Sequence, residues 1–109
     1  MATLEEGQRL LNTLRTFYII ITCRPYGFVQ AESRGEMYLC VWSSNTKAKR
    51  FIFEQGKSPK DNRVVGMDAD TLKAFSDAAG IRKMFLDVRS EGKPDESVFW
   101  FYMGSVGVQ

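Results

Sequence analysis

Six cations fall between residues 47 and 63 of this chain, Lys47, Lys49, Arg50, Lys57, Lys60 and Arg63, with only Glu54 and Asp61 among them. From Trp42 to Gly66 the net charge is +4, and the remainder carries −2. A near balance of 15 Lys plus Arg against 13 Asp plus Glu therefore hides a polarised distribution. Clustered cations contact phosphates or carboxylates, and rings beside them stack on bases or insert into a protein partner. Tyr26 and Trp42 are the rings the sequence puts forward as further contact residues, although a tryptophan's default place is the core. The solvated face of an ordinary helix carries as many Lys and Arg, so the cluster alone does not choose between an acidic protein, nucleic acid and water.

Other chemistry is harder to build from these residues. The chain has no histidine, which removes the usual general base, the commonest metal ligand and every Ser-His or Cys-His nucleophile pair. Cys23 and Cys40 sit in apolar runs, where a thiol stays protonated and inert. They lack C-x-x-C spacing and are too few for a disulfide framework, which points to a reduced, cytoplasmic protein unless their strands are neighbours and pair. Asp68-x-Asp70 has alternating carboxylates, yet helix capping accounts for both and no third acid follows at ligand spacing. Neither G-x-x-x-x-G-K nor G-x-G-x-x-G is present. No catalytic residue, metal ligand or cofactor site is expected. The longest apolar run near the N-terminus, FYIII, is far short of the roughly 20 residues a membrane span needs, and Glu5 and Glu6 stand where a secretory leader is basic.

The elements that must position the basic cluster follow from periodicity. Thr3 and Glu6 have capping-box spacing, and Leu4, Leu10, Leu11 and Leu14 share a stripe, predicting a helix over 3–15 that Gly7 weakens. FYIIITC, 17–23, reads as a central strand covered on both faces. Arg24-Pro25-Tyr26-Gly27 and Ser33-Arg34-Gly35 are turns bounding a strand over 28–32. The next strand alternates Met37, Leu39 and Val41 against Tyr38, Cys40 and Trp42, both sets apolar enough to be interior. Ser43, Ser44 and Asn45 are good N-caps for a helix whose Ala48, Phe51 and Ile52 face a sheet and whose Lys47, Lys49 and Arg50 face outward. Residues 56–62 read as loop, and 63–66 as a short strand at best.

Asp68 caps a helix that Gly80 ends. Met67 and Leu72 are placed as a hydrophobic staple, Leu72, Phe75 and Ala79 form the buried stripe, and Ile81 is set for a Schellman contact. Strands at 84–88 and 98–103 then pair as a hairpin across a polar loop at 89–97, and the tail after 103 is short and loose. The last strand, VFWFYM, has aromatics on both faces, so it is central, covered, or a homodimer contact. The 14 aromatics exceed what so small a core hides, leaving some for a partner.

At VWSSNTKAKRFIF, followed by GMDADTLKAFSDAAGIRKMFLDV, the chain resembles the SseB-like domains, small bacterial domains in which a strand ending in an aromatic and then Ser or Thr followed by Ser precedes an alanine-bearing helix. A second helix in that family ends in Gly and leads to another strand. Val41-Trp42-Ser43-Ser44, Ala48 and Leu72 to Val88 carry the match, over residues 38–88. The basic face at Lys47, Lys49 and Arg50 and the lack of an asparagine-proline near the last strands depart from it. The resemblance implies an α+β fold without established catalysis. The expectation is one α+β domain over 1–109, with a mixed, mostly antiparallel sheet of five to six strands and about three helices. Its expected function is non-catalytic protein binding, of the adaptor, immunity or inhibitor type, in a bacterial or phage setting. Single-stranded nucleic-acid binding through the six cations is the alternative.

Overall fold

β1 (Phe17–Thr22) is apolar almost throughout because both of its faces are covered. Phe17 and Ile19 point into one cluster with Leu39, Val41, Leu72, Met84 and Leu86. Ile20 points the other way, into a second cluster with Cys40, Trp42, Ala48 and Ile52. Two layers sharing one strand make one domain, and the fold is α+β as expected. The computed structural model describes residues 4–89 and 99–107. The capping Thr3, most of the 89–97 loop and the start of the last strand at Val98 lie outside the described residues.

Among the described residues seven strands form two ladders rather than the single five- or six-stranded sheet expected. β2 (Gly27–Phe28), β1 and β5 (Asn62–Met67) make one, in the order β2-β1-β5. The other is β3 (Gln30–Ser33), β4 (Glu36–Val41), β6 (Lys83–Leu86) and β7 (Phe99–Tyr102), in that order. The predicted strand at 28–32 divides at Val29, which donates to Ile20 on one side and accepts from Cys40 on the other. That break lets one segment pair β1 first and β4 next. The ladders meet again where Tyr18 and Trp42 exchange backbone hydrogen bonds of 3.0 and 2.8 Å. Among the described strands only β4 and β6 run parallel, and the long crossover between them carries α2 (Asn45–Glu54), β5 and α3 (Ala69–Ala79).

Local chemistry sets most boundaries. Arg34 and Gly35 both take positive φ, 53° and 80°, as a two-residue hairpin turn between β3 and β4 demands. Ser44 caps α2 by accepting from the Lys47 amide, and Asp68 caps α3 by accepting from the Thr71 amide. Gly80, at φ 71°, ends α3 in the left-handed conformation while the Ile81 amide bonds back to Ser76, giving the expected Schellman end.

The α3 stripe needs one correction. Ala79 is exposed, and Ser76 is the buried residue, its hydroxyl donating to the Ile81 carbonyl in place of an apolar contact. Gly7, which weakens α1 (Leu4–Thr13) by propensity, is required there: a Cβ at that position would come within 2.5 Å of the Phe99 ring. The segment after β7 is not loose, since Met103 and Val106 are buried in the larger cluster around a single 3-10 turn, Met103–Ser105. β5, expected as a fragment, pairs β1 over its full length from Asn62 to Met67.

Candidate functional site

α2 lies against β1 and β5 with Ala48 and Ile52 buried. Side chains advance about 100° per residue around a helix, so Lys47 and Lys49 leave α2 about 200° apart and cannot share a face. That spacing divides the expected patch. Lys49, Lys57 and Arg63 gather around a groove of about 540 Å³ between α2 and β5, lined also by Asn45, Ile52, Phe53, Pro59, Asn62 and Val64. Lys47 is on the opposite flank, and neither Arg50 nor Lys60 lines the groove.

The groove combines apolar walls with uncompensated charge. Phe53 is 84% exposed on its rim, and Ile52 and Val64 form apolar walls. Among the described residues no acid pairs with Lys49, Lys57 or Arg63. A ligand answering this surface is anionic and brings an apolar side chain to set against Phe53.

On the other flank the charge is used within the fold. Asp87, at the end of β6 and at a positive φ of 63°, accepts from the Ser43 amide at 2.8 Å, the Ser43 hydroxyl at 2.9 Å and the Lys47 ammonium at 3.2 Å. About two turns further along α2, Arg89 grips Glu54 with two hydrogen bonds of 3.2 and 2.6 Å. Trp42 lies beneath, 1% exposed, donating its indole N–H to the Val88 carbonyl at 2.9 Å. Trp42 is therefore a core residue and leaves the set of contact candidates, because β4 is an interior strand and α2 closes over it. Ser43, Lys47 and Asp87 together resemble a nucleophile set, but the hydroxyl and the ammonium both point at the carboxylate, so the three residues form a clamp fixing the β4–α2 corner to β6.

The exposed tryptophan is Trp100, where the sequence had put Trp42 forward. Trp100, on β7 at the end of its ladder, is 45% exposed, and Tyr102 beside it is 56% exposed. With Tyr38 and Phe85, stacked at 4.2 Å between ring centres, they form an aromatic face. Lys83 threads it, its ammonium 5.3 to 5.7 Å from the Tyr38, Trp100 and Tyr102 ring centres. Its ion pair with Glu36 is the main reason its pKa is raised. Among the described residues β7 thus pairs with β6 alone, as an end strand of its ladder and not a central one. Tyr26, 87% exposed in the turn between β1 and β2, is open to contact but does not line the groove. Phe28 packs edge-on against Phe75 at 5.1 Å.

Cys23 and Cys40 are both free. Burial pushes the Cys40 thiol up to about 12, which suits an inert core group. Cys23 falls in the turn after β1 instead of inside the strand. Asp68 is held below its ordinary carboxylate value by its bond from the Thr71 amide, the capping role predicted for it. No group of three metal-ligating side chains occurs among the described residues, and no described helix is long and apolar enough to cross a membrane. No protein-family model matches the chain, and no curated protein matches it.

Proposed function

We propose that this protein is a non-catalytic interaction domain that binds an acidic protein partner across the α2–β5 groove. The observation that carries the proposal is the convergence of Lys49, Lys57 and Arg63, none paired with an acid among the described residues, on apolar walls beside the exposed Phe53. An exposed ring beside unpaired cations suits a partner that brings carboxylates together with an apolar side chain. The aromatic face at Trp100 and Tyr102 is a second contact surface in this proposal, with homodimer pairing along the 98–103 strand as its simplest form. A cytoplasmic setting and kinship with SseB-like domains belong to the same proposal. The strand–helix–strand–helix–strand order of β4, α2, β5, α3 and β6 and the two free thiols support them.

Affinity capture from native lysate tests the proposal, using wild type and a Lys49→Glu, Lys57→Glu, Arg63→Glu variant. Capture of acidic proteins that survives nuclease and is lost in the variant is the expected result. Capture abolished by nuclease would move the assignment to the single-stranded nucleic-acid alternative, favoured by the exposed ring of Tyr26. With Lys47 held by Asp87, that alternative predicts a log-log salt slope of roughly −3.5 for the five remaining cations.

A further inference from the structure

The backbone of β5 is oriented to receive another strand. In an antiparallel ladder, alternate residues turn both backbone groups toward the same neighbour. The Cys23 amide donates to the Asp61 carbonyl, placing hydrogen-bonded pairs at Ile21 with Arg63, Ile19 with Val65 and Phe17 with Met67. Two further bonds agree: Tyr18 gives both its backbone groups to Trp42, and the Ile20 carbonyl accepts from Val29, so neither residue turns toward β5. The N–H and C=O groups of Asn62, Val64 and Gly66 therefore face away from β1, those of Val64 and Gly66 along the outer edge of the ladder and those of Asn62 where the 58–61 turn buries the residue to 8% exposure. No described backbone group answers them.

Edge strands are usually blunted by proline, a bulge or an inward charge, and β5 has a regular six-residue register with no proline. Beside its Asn62 and Val64 lies the groove with Ile52, Phe53, Lys49, Lys57 and Arg63. We infer that the β5 edge accepts an extended acidic segment of a partner protein as an added strand. The segment's apolar side chains enter the groove against Phe53 and Ile52, and its carboxylates meet Lys49, Lys57 and Arg63. This inference rests on the protein-interaction proposal and adds the binding mode, in which main-chain bonds supply affinity and alternating side chains supply selection.

Nitrogen-15 NMR titration with pools of blocked octapeptides tests it. One pool alternates Asp or Glu with Val, Leu or Phe, a second has the same side chains with alternate backbone nitrogens methylated, and a third replaces the acids with Lys. The acidic pool is expected to shift the Val64 and Gly66 amides and slow their solvent exchange about tenfold. The methylated and basic pools are expected to bind at least about tenfold more weakly, and Lys49→Glu with Lys57→Glu to weaken the acidic pool similarly. Equal binding of acidic and methylated pools, with Phe53 signals moving and β5 exchange unchanged, would overturn strand addition while leaving the interaction proposal standing. If no pool binds at millimolar concentration, both fall. Oligothymidylate saturating the groove signals at lower concentration than the acidic pool would overturn both in favour of nucleic acid.

Discussion

The two flanks of α2 carry similar residues to opposite ends. Toward β6, Lys47 meets Asp87 and Glu54 meets Arg89, so each charge is answered. Toward β5, Lys49, Lys57 and Arg63 surround a groove and meet no acid among the described residues. A cation count along the sequence cannot separate them, because the difference lies in what a distant strand brings alongside. The first flank fixes the helix, and the second is available to a partner.

Substitutions should expose this asymmetry by acting on stability on one side and on binding alone on the other. Trp42→Ala, beneath the closed flank, is expected to cost about 3–5 kcal/mol in urea unfolding, enough to threaten the fold. A cost under about 1 kcal/mol would return Trp42 to the surface. Asp87→Ala strands the Ser43 amide and hydroxyl and the Lys47 ammonium at a part-buried corner, and a loss of about 1–3 kcal/mol is expected by thermal and urea melts. Lys47→Ala removes one member of a half-exposed pair and should cost less than about 1 kcal/mol. Lys49→Ala and Arg63→Ala should stay within about 0.5 kcal/mol of wild type while weakening acidic-peptide binding. Equal stability losses on both flanks would erase the distinction.

The helix starts give the smallest contrast, since α2 is capped by neutral Ser44 and α3 by titratable Asp68. Asp68 has a folded pKa below its ordinary 3.8, so its contribution is complete above that value and is lost as pH falls through the folded one. Asp68→Asn, which can still cap, should therefore flatten the acid limb of stability below about pH 4. An unchanged acid limb would assign that limb to other carboxylates.

What could be read from the sequence was local. Asp68, Gly80 and Ile81 announced both ends of α3 because a cap and its amide lie within a few residues of each other. The choice between Trp42 and Trp100 was not legible, since burial depends on which strand ends a ladder, a matter of partners far along the chain. The clamp at Asp87 is not legible for the same reason: its partners lie 40 and 44 residues away. β5 looked fragmentary because Arg63 and Gly66 interrupt its apolar pattern, although Gly66 accommodates the Tyr18 ring, which a Cβ there would approach to 3.0 Å. The basic groove was half visible, its residues named but not their separation around α2.

The contact between Gly7 and the Phe99 ring sets a schedule for a chain made from its N-terminus. The smaller cluster draws almost wholly on residues 18–64 and can assemble on a nascent chain long before the last strand emerges. The larger one needs Leu11 at one end and Phe101, Met103 and Val106 at the other. α1 must therefore wait, apolar stripe exposed, until residues 101–106 have left the ribosome, and that interval is when a chaperone has most to hold.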